Sequence, residues 1–321
     1  MEGMTGPGVS RFICSGSCTL PAENEGGTLR ERAPKCLISR TQFSHGVIGM
    51  PVHKNIAFES VIDRACRDAK RRMKVGDIMS RKVITTTPET TMIQAAKTMG
   101  EKHIGSLVVV KYKTPVAIVT ERDLLSKVLA CDLDLKRTLV GQVMSYPLVR
   151  ICETFRIREA ARTMINKKGR LVVYVCGKLA GIITASDLIR AMPEAPETSL
   201  VVDDFMTTEI VSADEDETVR TAAGMMGQQR VGSVIVTSNG KPLGIFTERD
   251  LLSTFMVHSR SLDIPLGEAC SGLMTTAPAG ISIHEAAKIM AARHIRRLPI
   301  MKKKQIAGII TARDLVEAYA R

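Results

Sequence analysis

The feature that most constrains this chain is its self-similarity. An apolar-apolar-Thr-x-x-Asp-Leu motif occurs four times, as IVTERDL, IITASDL, IFTERDL and IITARDL. Its threonines are Thr120, Thr184, Thr247 and Thr311, spaced 64, 63 and 64 residues apart. A fixed period of this length marks a repeated supersecondary unit too small to bury its own faces, so the units must pack on one another. A second marker ends in methionine and lies upstream of each motif: DIMS from Asp77, QVMS from Gln142, DFMT from Asp204 and GLMT from Gly272. The copies are also nested. The heptapeptide TERDLLS is written at Thr120 and again at Thr247, and the same offset of 127 separates Met79 from Met206 and Gly105 from Gly232. The simplest history is duplication of a pair.

Within a unit the hydrophobic period alternates. A short apolar run follows the methionine, then a polar turn such as TPET, then Met92, Ala95, Ala96 and Met99 at helical spacing. Two strand-like runs, Leu107 to Val110 and Val116 to Val119, flank a KYKT turn. Thr-x-x-Asp then opens a second helix. The expectation is an α+β fold of four β-α-β-β-α repeats.

Composition fits such a fold: 45% of residues are hydrophobic and 24% charged. The apolar runs fall far short of a membrane span, the N-terminus lacks the apolar stretch of a secretory signal, and the expected location is the cytoplasm. The net charge of +12 lies in the first two thirds of the chain and would attract a polyanion or small phosphorylated ligands. Aromatic residues make up only 3% of the chain and there is no tryptophan, which leaves few stacking platforms for single-stranded nucleic acid. Cys66, Cys131, Cys152, Cys176 and Cys270 are scattered singly. Cys14, Cys18 and Cys36, with His45 and His53 downstream, match no standard pair of ligand knuckles, so no metal site is expected. No nucleophile-base, paired-carboxylate or metal constellation stands apart from the repeats, and no catalytic residue is expected. His103 and His294 occupy equivalent helix ends rather than a site.

The four motifs and their spacing resemble the CBS-domain family, in which two copies pack into a Bateman module with a pseudo-twofold axis and clefts between the sheets. Two modules in one chain is similar to the γ subunit of AMP-activated protein kinase and to stand-alone prokaryotic relatives. Segment 1–55, rich in Gly, Ser, Thr, Pro and charge without sustained periodicity, reads as disordered, and 56–74 as a leading amphipathic basic helix; the resemblance covers the remainder as two modules. The first module spans 75–194, with repeats 75–130 and 139–194. The second spans 200–321, with repeats 200–257 and 266–321.

At a strand-to-helix junction Thr-x-x-Asp is first a capping box. The resemblance implies a second duty, since the family's aspartate commonly receives both ribose hydroxyls of an adenine nucleotide and its threonine contacts the sugar. The implied ribose residues are Thr120 with Asp123, Thr184 with Asp187, Thr247 with Asp250, and Thr311 with Asp314. Phosphates need cations. The candidates are Arg122, Arg249 and Arg313 beside the aspartates, Arg296 and Arg297 in HIRRLPI, and Arg170 in the second copy. Gly105-Ser106 and Gly232-Ser233 sit where the family sets backbone against base or sugar, although a helix C-cap and turn explains these glycines more simply. Ile84-Thr85 and Val211-Ser212 could flank the base. The expected function is a non-enzymatic sensor that takes up AMP, ADP or ATP as a ligand, needs no cofactor, and signals to a regulated protein as a homodimer formed through module faces. S-adenosylmethionine is an alternative ligand. Nucleic-acid binding by the basic first module is an alternative function. An IMP dehydrogenase-like enzyme is not expected, because the four repeats leave no room for a catalytic barrel.

Overall fold

The computed structural model describes residues 68–70, 72–167, 169–192, 200–272 and 274–321, all within one compact unit, Ala57–Arg321. The expected disordered segment 1–55, most of the leading helix, and Cys14, Cys18, Cys36, His45, His53 and Cys66 lie outside the described residues. Residues 68–70, at the end of that expected helix, are helical.

Each repeat contains a three-stranded sheet of one topology. In the first, Thr85–Thr86 runs parallel to Ser106–Lys111, which pairs antiparallel with Thr114–Thr120. The other three sheets repeat that order and carry their hairpin irregularity at the equivalent place. This is the α+β architecture expected from the alternating periods.

The helix between the first two strands is built from one recurring stripe. Met92, Ala95, Ala96 and Met99 in the first repeat become Ile157, Ala160, Ala161 and Met164 in the second. The third repeat has Val219, Ala222, Ala223 and Met226, and the fourth has Ile283, Ala286, Ala287 and Met290. All sixteen are buried. Their spacing puts them on one helical face, and the central alanines keep the neighbouring helix close. Thr91, Thr218 and Ser282 cap three of these helices by accepting a main-chain amide, whereas Arg156 starts the second without such a side-chain acceptor.

The burial pattern shows how the repeats associate. One helical core joins the first repeat to the third, and a second joins the second to the fourth. A smaller cluster around Val108, Leu148 and Val172 fills the space between the sheets of the first and second repeats. Contact between the first and third repeats is close enough to require glycine. A Cβ on Gly100 would stand 2.6 Å from the Leu252 carbonyl oxygen, and one on Gly227 would overlap that of Leu125.

Paired repeats also exchange their entry segments. Ser80 of the first bridges to Ile182 of the second, and Ser145 of the second bridges to Ile118 of the first. Thr207 and Ile309 repeat the exchange in the other pair, as do Ser271 and Ile245. The sulfur of Met79 lies over Gly181 and that of Met206 over Gly308. In the fourth repeat, however, the sulfur over Gly244 belongs to Cys270. The GLMT segment from Gly272 is therefore not the equivalent of the other markers, because Cys270-Ser271 takes that place and the methionine arrives four residues later. An apolar sulfur side chain is what the position requires, and cysteine supplies a shorter one.

Candidate functional site

The four second helices begin at Glu121, Ala185, Glu248 and Ala312, and their N-terminal turns converge on one chamber of about 1040 Å³ walled by all four repeats. In every copy the aspartate Oδ2 accepts from the threonine amide and hydroxyl, at 2.7–2.9 Å. In the first, third and fourth copies the aspartate amide also donates to the threonine Oγ1. The capping reading therefore holds for the motif and uses up one carboxylate oxygen at each site. What remains for a ligand is Oδ1.

The environment of Oδ1 differs among copies. Asp123 Oδ1 accepts from Ser145 at 2.8 Å and pairs with Lys127 at 2.7 Å. Asp187 Oδ1 is held by Arg190. Among the described residues no hydrogen bond or ion pair engages Oδ1 of Asp250 or Asp314. Burial raises the Asp314 carboxyl above its ordinary value against the Thr311 hydrogen bonds, and Glu317 adds to the rise.

The chamber gathers most of the residues singled out from sequence. Thr120, Asp123, Thr184, Asp187, Thr311 and Asp314 line it, as do Arg122, Arg170, Arg249, Arg296, Arg297 and Arg313. Ile84, Gly105, Ser106, Val211, Gly232 and Ser233 also reach its wall. Thr85, Ser212, Thr247 and Asp250 do not. The third motif is thus set apart from the other three. The helix it opens is also different, continuing as a π-helix over Leu251–Met256.

The guanidiniums are not idle. Arg296 makes two hydrogen bonds to Glu121, at 3.0 and 3.1 Å, and Arg170 lies 3.8 Å from the same carboxylate. Arg297 bonds Glu248 at 2.7 Å. Arg249 donates to the His294 carbonyl and Arg313 to that of Ile165, two carbonyls at the C-terminal ends of neighbouring helices. Burial would raise the Glu121 carboxyl, but the Arg296 and Arg170 charges outweigh it and hold the group well below its ordinary value. Burial lowers Arg170, Arg249 and Arg313 from their ordinary values. In Arg296 burial is overcome by Glu121, which raises it.

Sequence reasoning missed Glu121 and Glu248, the buried acids inside the two TERDLLS segments. Their signal was an asymmetry. The motif carries glutamate in the first and third copies only, and the strand-start arginines Arg170, Arg296 and Arg297 occur in the second and fourth only. The glycines also have a different reason from the C-cap suggested by sequence. A Cβ on Gly105 would lie 2.7 Å from the Glu121 carboxylate, and one on Gly232 would overlap the Arg297 guanidinium. The left-handed positions at those helix ends belong to His103 and Arg230.

Among the described residues no group of three His, Cys, Asp or Glu side chains could hold a metal ion, and no helix is long and apolar enough to cross a membrane.

The family model "CBS domain" matches residues 75–130, 140–194, 202–256 and 270–321. Protein MK0525 of Methanopyrus kandleri is 36% identical over 126 residues, 38% of this chain and 64% of its own length. Protein MJ1404 of Methanocaldococcus jannaschii is 26% identical over 270 residues, 77% of this chain and 62% of that protein. The chain thus spans a little under two thirds of the length of these two relatives. The crystal structure of MJ1225 from M. jannaschii, proposed as an archaeal homologue of g-AMPK, superposes with a TM-score of 0.66 at 25% identity. It covers 77% of this chain and 100% of that one.

Proposed function

The chain belongs to the CBS-domain family, and from that premise we propose that it is a non-catalytic sensor of adenine nucleotides. The carrying observation is the convergence of three Thr-x-x-Asp pairs and six arginines on one chamber. A carboxylate with a free oxygen accepts a sugar hydroxyl, and of the three chamber aspartates Asp314 keeps one. Guanidiniums in a fork geometry suit a phosphate, whose several oxygens satisfy them better than one carboxylate does. Ile84 and Val211 offer apolar wall for a base. AMP, ADP and ATP share all three parts.

Transmission follows from the same contacts. Glu121 belongs to the first repeat and Arg296 to the fourth, so a phosphate that recruits Arg296 competes with a bond between modules. Such competition shifts the arrangement of the modules only to the extent that the ligand prefers one arrangement. A partner protein would read the change, and a homodimer formed through module faces would present that surface twice.

Calorimetric titration of the full chain with AMP, ATP and S-adenosylmethionine tests the proposal. Saturable binding of AMP or ATP supports it. Binding of S-adenosylmethionine alone, which has the adenosine but no phosphate, would transfer the site to that ligand. Absence of binding by all three, from folded protein, would remove the nucleotide reading. A basic surface for nucleic acid would instead show steep weakening with salt.

A further inference from the structure

The four aspartates are chemically unequal, and the difference lies one helical turn beyond each of them. Lys127 follows Asp123 by four residues and Arg190 follows Asp187 by three. Both cations sit on the oxygen that the capping box leaves over. Lys127 is fixed further by the Val143 carbonyl at 2.7 Å and by Ser145 at 3.0 Å. In the third copy the residue equivalent to Lys127 is Thr254, and in the fourth the residue equivalent to Arg190 is Glu317. Glu317 turns away to Arg321 at 3.3 Å.

We propose that Lys127 and Arg190 are resident plugs that close the Asp123 and Asp187 positions to nucleosides, so that of the three aspartates reaching the chamber only Asp314 receives ligand. This rests on the nucleotide reading above and fixes where that ligand goes. A sugar hydroxyl arriving at Asp123 must displace an ammonium and a serine hydroxyl that already bond the carboxylate. At Asp187 it must displace a guanidinium. A neutral hydroxyl makes a weaker bond to a carboxylate than a cation does. Each plug therefore weakens its cleft by about tenfold or more. The side chains are 41% and 51% exposed, so their removal leaves the core intact. The two TERDLLS segments are identical for seven letters, and the eighth, Lys127 or Thr254, decides whether the aspartate keeps a free oxygen.

Exchange of these residues tests the proposal without touching a capping box. Equilibrium dialysis of the full chain against AMP would count the ligands bound per chain. No more than one is expected for the natural sequence. Lys127→Thr and Arg190→Glu should each add one site, and Glu317→Arg should remove one by plugging Asp314 as Arg190 plugs Asp187. Two or more sites in the natural chain, or unchanged counts in all three folded variants, would overturn the plugs while the nucleotide reading stands. No AMP bound by the natural chain or any variant would bring down the nucleotide reading, and this assignment with it.

Discussion

Glu121 and Arg296, 175 residues apart, meet through two hydrogen bonds of 3.0 and 3.1 Å. The carboxylate side chain is 3% exposed and the guanidinium 25%. This pair ties the first repeat to the fourth across the wall of the shared chamber.

Removing the carboxylate charge leaves Arg296 and Arg170 without a full partner. Breaking a buried pair costs about 3–5 kcal/mol, and the partial exposure of Arg296 reduces that. Glu121→Gln is expected to destabilise the chain by about 2 kcal/mol, measured as the shift of the urea midpoint at constant slope.

The same pair sets a pH dependence. Its arginines lower the Glu121 carboxyl from 4.5 to about 2. A depressed carboxyl contributes stability that is complete above its unfolded value and is lost as pH falls through its folded value. The melting-temperature gap between the natural chain and Glu121→Gln should therefore be constant from pH 7 to 5. Below about 4.5 it should narrow steadily. A gap that widens on acidification would contradict the assignment.

Gly224 and Gly227 share one helix but differ in surroundings. Nothing lies within 4 Å of a Cβ built on Gly224, whereas Gly227 faces the Leu125 carbonyl and Ala130. Gly224→Ala should stabilise by about 0.5–1 kcal/mol through helix propensity. Gly227→Ala should destabilise by about 1–2 kcal/mol, because overpacking outweighs that gain. Thermal unfolding of the two variants side by side decides the point.

Arg156 holds the N-cap position that Thr91, Thr218 and Ser282 fill in the other repeats. Arg156→Ser should supply the missing acceptor and stabilise by about 1 kcal/mol. A parallel Ser282→Ala should cost a similar amount. Equal melting points for Arg156→Ser and the natural chain would show that Glu159, which accepts from the Arg156 amide at 2.8 Å, already suffices.

The repeats, the buried helix stripes and the capping boxes were legible because each is a local pattern of a few residues, repeated four times. Met92, Ala95, Ala96 and Met99 show their spacing directly. The partners of Glu121 were not legible, since nothing local to TERDLLS points to residues 49 and 175 positions further on. Arg170 comes from the second repeat, and the Arg296 bonds depend on how the two pairs of repeats dock, a choice made by helix surfaces that look alike in all copies. The displaced methionine of the fourth repeat misled for the opposite reason: a good local match, at Gly272, lay near the position that Cys270 occupies in space. The distinction among the four aspartates lay in plain view as Lys127, Arg190, Thr254 and Glu317. Its meaning depended on knowing which carboxylate oxygen the capping box had already taken.

The exchange of entry segments sets the grain at which such a chain can be cut or lengthened. Ser80 completes the sheet of the second repeat and Ser145 that of the first. A fragment ending between them would carry one strand edge without its cover and one cover without its edge. Viable deletions and insertions must therefore come in even numbers of repeats, and a solitary repeat would find its missing edge on another copy of itself.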